Sequence, residues 1–160
     1  MKSANPTTVT TPTDREIVIA RDFEAPRDLV WEAISSPDML KRWLLGPPGW
    51  SMVACEEDPR VGGTFRYVWR GPDGTEMSMR GVYREVLAPE RVSRTEAFAF
   101  GGEPRGEKLS TLVLADRGSR TALTLTMLFP SKEARDEAIS FGAEPNWDKL
   151  DEVLATTMAR

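Results

Sequence analysis

Residues 145–158 read PNWDKLDEVLATTM. Trp147, Leu150, Leu154 and Met158 recur at i, i+3, i+7 and i+11, with Val153 beside them, while Asp148, Lys149 and Glu152 face away. That is the period of a helix with one apolar side. Pro145 suits its first helical position, where a missing N–H costs no intrahelical bond. At ~1.5 Å per residue the helix spans about 21 Å, long enough to lie across a sheet of seven strands. Its apolar stripe needs an equally dry surface to cover.

The preceding residues supply one. Residues 120–129 put Leu123, Leu125, Met127 and Phe129 on one side and threonines with Ala122 and Leu128 on the other. This is the alternation of a strand with one dry and one largely wet face. Residues 108–116 pair with it across the short turn Arg117-Gly118-Ser119, and residues 91–98 form the strand before the Gly101-Gly102 loop. Further back, Phe65, Tyr67 and Trp69 alternate with Arg66, Val68 and Arg70. Gly71-Pro72-Asp73-Gly74 marks a hairpin, with Met77, Met79, Gly81 and Tyr83 on the returning strand. Residues 51–55 open this meander, and Ser131 is placed to cap a helical stretch through Phe141, with Gly142 allowing a bend before the last helix.

Toward the N-terminus, residues 16–24 alternate with Ile17, Ile19 and Phe23 on one face, and Arg21 falls on that same face. Pro26 and Pro37 start two short helices. The first repeats Leu29, Val30, Ala33 and Ile34; the second has Ser36 at its N-cap and runs to Trp43, where Gly46-Pro47-Pro48-Gly49 stops the chain's helical path. Residues 1–13, rich in Thr, Pro and Ser, read as a flexible leader, and residues 14–160 as one domain. Seven strands with helices gathered on one sheet face define the α+β class.

Composition narrows the chemistry. The chain has 160 residues and a net charge of -4, with acidic and basic residues interleaved, so no basic stripe is offered to nucleic acid. No apolar run approaches the ~20 residues of a membrane span, and the first residues lack a signal peptide's apolar stretch, which makes a cytoplasmic location the default expectation. There is no histidine, which removes serine–histidine and cysteine–histidine nucleophiles and imidazole metal sites. The single Cys55 excludes an intrachain disulfide, and its acidic neighbours disfavour a reactive thiolate. No cofactor or metal is expected: Glu56 and Glu57 read as solvated, and Asp58 as the cap of the turn before Gly62-Gly63.

Several short signals coincide along residues 14–158: Ala25-Pro26 with Val30-Trp31, Pro37 with Leu40 and Trp43, and Gly46-Pro47 with Gly49. Asp58 with Gly62-Gly63 and Phe65, Gly74, Gly81, Tyr83 and Pro89-Glu90-Arg91 follow, then Arg135-Asp136, Gly142, Trp147 and Leu150. Jointly they resemble the SRPBCC (START-like) superfamily, in the branch named after the C-terminal domain of the heat-shock-chaperone ATPase activator. One residue departs: the family commonly has glycine before the tryptophan of the last helix, and here it is Asn146. The resemblance implies a helix-grip fold, in which a curved seven-stranded antiparallel sheet and a long C-terminal helix enclose a cavity. It also implies a non-enzymatic binding module for a small hydrophobic or amphipathic ligand. Some relatives are polyketide cyclases or dehydratases; on that reading Tyr83, Arg94 and Glu96 are the residues to test, with Glu96 as base if burial raises its pKa. The namesake stimulates a chaperone ATPase, but only a short leader precedes the first strand here, so chaperone activation is not the expected role.

The candidate cavity residues follow from face and family. Trp43 either packs the helix pair or rims the cavity mouth. Phe65, Tyr67, Trp69, Met77 and Met79 make an adaptable aromatic and thioether face, which is core or ligand wall. Arg94 and Glu96 share a strand face with Val92 and Phe98; inward, they form an internal polar anchor, and outward they are surface residues. Trp147, Leu150 and Leu154 complete the set from the last helix, while Arg21 is assigned a structural role. A homodimer is compatible with the sequence and not inferable from it.

Overall fold

The alternation in residues 16–23 and 120–128 becomes one ladder: β2 (Glu16–Phe23) runs antiparallel to β8 (Arg120–Leu128), with Ile17 opposite Met127 and Ile19 opposite Leu125. This computed structural model describes residues 5–141 and 145–159. The remaining elements are β1 (Thr8–Thr10), α1 (Arg27–Ser35), α2 (Pro37–Trp43), β3 (Ser51–Glu57), β4 (Thr64–Arg70), β5 (Glu76–Leu87), β6 (Arg91–Phe100), β7 (Glu103–Arg117), α3 (Lys132–Phe141) and α4 (Trp147–Met158). All pairings are antiparallel, in the order β1-β2-β8-β7-β6-β5-β4-β3, and the sheet stays open with β1 and β3 at its edges. The α+β helix-grip architecture expected from the sequence is present.

Among the described residues the sheet has eight strands, not seven. The extra one comes from the stretch read as a leader, where Val9 pairs with Ile19. The free backbone edge of β2 accepts it, and β-branched Thr and Val suit the pleat. Helix starts also differ in detail. Ser36 occupies the N-cap of α2 but makes no side-chain cap bond, whereas the Ser131 hydroxyl accepts from the Ala134 N–H at 3.0 Å. Helix α4 begins at Trp147 with Asn146 at its N-cap, so Pro145 lies outside it. The bend assigned to Gly142 lies outside the described residues.

Helix α4 meets the sheet and the helix pair through Trp147, which stacks on Trp43 with ring centroids 5.9 Å apart and meets Phe23 edge-on at 5.8 Å. Leu150 and Leu154 are buried, but Met158 is 46% exposed, because the last turn runs past the core. Arg21, buried on the inward face of β2, holds Asp151 and, at 3.0 Å, Asp148 of α4. Its role is structural, and Asp148, exposed as the helical period suggests, pairs with Arg21 from the outer side of the helix.

Candidate ligand-binding cavity

Several inward apolar side chains are only partly covered. Met77 and Met79 on β5, Leu112 on β7 and Leu125 on β8 pack against the core without being buried by it. They face a cavity of about 500 Å³ between the sheet and the helices, within the range of small-molecule sites. Of the residues singled out from sequence, Trp43, Tyr67, Trp69, Met77, Met79, Tyr83, Arg94, Glu96 and Trp147 line it. Phe65, Leu150 and Leu154 do not; they are solid core. Phe65 sits instead under the Arg94 guanidinium, 3.7 Å from its ring centroid.

The aromatic wall is anchored by hydrogen bonds. Trp43 Nε1 donates to the Ala33 carbonyl at 2.9 Å, tying α2 to α1, and Trp69 Nε1 to that of Leu44 at 2.8 Å, holding the chain after α2 against β4. Asn146 closes the same corner. Its Oδ1 accepts from the Leu45 and Gly46 N–H groups at 3.1 Å, and its Nδ2 donates to the Gly46 carbonyl at 3.0 Å.

One end of the cavity is polar. Arg94 faces inward opposite Tyr83 and Ser110. Its Nε donates to Glu96 at 2.8 Å, and its Nη1 donates to the hydroxyls of Tyr67 at 3.0 Å and Tyr83 at 3.2 Å. Both hydroxyls in turn donate to Glu57, which also lies 3.6 Å from Arg94. Glu96 further accepts from Ser110 at 2.6 Å and pairs with Lys108 at 3.3 Å.

Burial alone would raise the Glu96 pKa, but Lys108, Arg94 and the Ser110 hydroxyl outweigh it and hold the carboxyl at about 2. That makes it a permanent counterion and a poor base, contrary to the role considered for it. Burial pushes Glu57 above its ordinary value, with Arg94 and the two tyrosine hydroxyls opposing. Burial also raises Tyr67 and Tyr83. Cys55 is pushed up to about 11, by burial first and the Glu57 charge next, so its thiol is unreactive at neutral pH. Among the described residues no group of three or more His, Cys, Asp or Glu side chains is arranged to hold a metal ion, and no helix is long and apolar enough to cross a membrane.

Glu57, expected from the sequence to be solvated, is instead buried, with its side chain 1% exposed. A bulge between Met52 and Ala54 shifts the register, so Cys55 and Glu57 lie opposite Tyr67 and Phe65 on the inner face. One extra residue flips the face of everything after it. Lys108 and Ser110 were also missed; their positions opposite Glu96 and Arg94 across β6–β7 place them inside. Helix α3 was not assigned to the cavity either, yet Ala134, Ala138 and Phe141 line it.

The sequence profile of the family described as Activator of Hsp90 ATPase homolog 1-like protein matches residues 24–159. No curated protein matches the chain in sequence. Among solved structures, a Rhodobacter sphaeroides protein is 28% identical, with a TM-score of 0.82 over 94% of this chain and 99% of its own. An Arthrobacter aurescens protein is 28% identical, with a TM-score of 0.80 over 93% and 91%. A Nitrosomonas europaea protein is 25% identical, with a TM-score of 0.80 over 94% and 100%. On a match spanning nearly the whole domain and a fold shared from end to end, the chain belongs to the activator of Hsp90 ATPase homolog 1-like family.

Proposed function

We propose that this domain is a non-enzymatic binding module that holds one small amphipathic molecule between its sheet and its C-terminal helix. The observation that carries this is the cavity of about 500 Å³, apolar over most of its wall and polar at one end. A void of that size lined by Trp, Met and Leu loses packing contacts that a ligand would restore. Catalysis is less well supported: Glu96 is held ionised with a pKa of about 2, and Glu57 lies behind the two tyrosines rather than on the cavity wall.

Native mass spectrometry of freshly purified protein should detect a co-purifying small molecule, or, on emptied protein, saturable uptake of Nile red with enhanced, blue-shifted emission. A protein that carries no ligand and takes up no apolar dye of any size would overturn the proposal.

A further inference from the structure

The hydrogen-bond inventory of the polar end is asymmetric. The carboxylate oxygens of Glu57 and Glu96 and the tyrosine oxygens each accept a bond already. Glu57 takes both tyrosine hydroxyls, each tyrosine oxygen takes an Arg94 N–H, and Glu96 takes Arg94 and Ser110 and forms an ion pair with Lys108. The donors are not exhausted. Arg94 Nη2 has no hydrogen-bond partner among the described residues. The buried unpartnered side-chain atoms among those residues are Arg21 Nε and Trp147 Nε1, so Arg94 Nη2 is open to the cavity that Arg94 lines. Lys108, with three N–H groups to offer, meets a single carboxylate.

The charges, by contrast, are already matched. Arg94 and Lys108 face Glu57 and Glu96, and the rest of the charged wall, Arg105 with Glu107 and Glu137, adds no positive excess. A carboxylate entering this end would be a further buried anion without its own counterion, which is costly. A neutral acceptor satisfies the free donors and disturbs no pair.

Resting on the binding-module reading, we propose that the cavity selects a neutral, largely apolar molecule bearing a carbonyl-type acceptor held by Arg94 Nη2 and Lys108, and rejects acids of the same shape.

Three shape-matched probes test this by calorimetry at neutral pH: 2-acetylnaphthalene, 2-ethylnaphthalene and 2-naphthoate. The ketone should bind about tenfold more tightly than the hydrocarbon, the expected gain from a hydrogen bond to a charged donor, and the naphthoate should bind more weakly than the ketone. In Arg94→Met the ketone's advantage over the hydrocarbon should vanish. Should that variant fail to fold, Lys108→Met should reduce the same ratio. The infrared carbonyl band of 2-acetylnaphthalene bound to the unsubstituted protein should also fall below its position in hexane. Equal binding of ketone and hydrocarbon, a hexane-like carbonyl band, or naphthoate binding as tight as the ketone overturns the acceptor assignment alone. Binding of none of the three by protein that still takes up Nile red overturns this inference alone; binding of none by protein that also carries no ligand and takes up no Nile red overturns the binding-module reading with it.

Discussion

At the scale of single residues, Glu96 and Asn146 carry the sharpest expectations. The folded pKa of Glu96 lies below its ordinary value. Its stabilising contribution is therefore present above the usual carboxylate range and lost as pH falls toward about 2. The depression corresponds to on the order of 3 kcal/mol. Glu96→Gln should lower urea-unfolding stability at pH 7, and the gap to the unsubstituted protein should close as both are titrated into acid. A gap constant with pH would contradict the assignment. Glu57 works in the opposite sense: its raised pKa means that the stability linked to it is present in acid and lost as pH rises through its folded value. Asn146 joins α4 to the loop after α2 through three hydrogen bonds. Asn146→Gly should cost about 1–3 kcal/mol in thermal unfolding by leaving the Leu45 and Gly46 backbone groups without these partners.

At the scale of elements, the two C-terminal helices behave differently because they bury different amounts. Helix α4 buries Trp147, Leu150, Val153 and Leu154, while α3 buries none of its residues. Leu150→Ala should therefore destabilise the fold by ~2–5 kcal/mol. Amide exchange should be faster in α3 than in α4, since local opening exposes little apolar surface there. Ala134, Ala138 and Phe141 line the cavity, and Arg105 of β7 stacks on Phe141 at 5.4 Å. A bound apolar probe should consequently slow exchange in α3 more than in α4; equal protection of the two helices in the empty protein would contradict this account. The strands show how legible such elements are. The inward faces of β2 and β8 follow directly from their alternation, whereas in β3 the bulge after Met52 reverses the face of Glu57 without any mark in the residue types.

At the scale of the whole molecule, the cavity makes a prediction that no element makes alone. Met79→Trp should fill the void, abolishing Nile red uptake while leaving the melting temperature close to that of the unsubstituted protein; in solid core the same change would cost ~1–3 kcal/mol by overpacking. Helix and strand periods, the turn at Gly71-Pro72-Asp73-Gly74, the α+β class and the shared aromatic and methionine face of β4 and β5 were all determined by the sequence. Each reflects which side of a local element must stay dry, and that is written in residue spacing. The tertiary structure alone decided that Thr8–Thr10 adds an edge strand and that Phe65, Leu150 and Leu154 are packed solid while Met77 and Met79 are not. It alone decided, too, that Glu57, Tyr67, Tyr83, Arg94, Glu96, Lys108 and Ser110 form one network. Spacing sets which way a side chain points, but a void or a charge cluster depends on distances between strands far apart in the chain, and those are fixed only when the sheet curves and the helix docks.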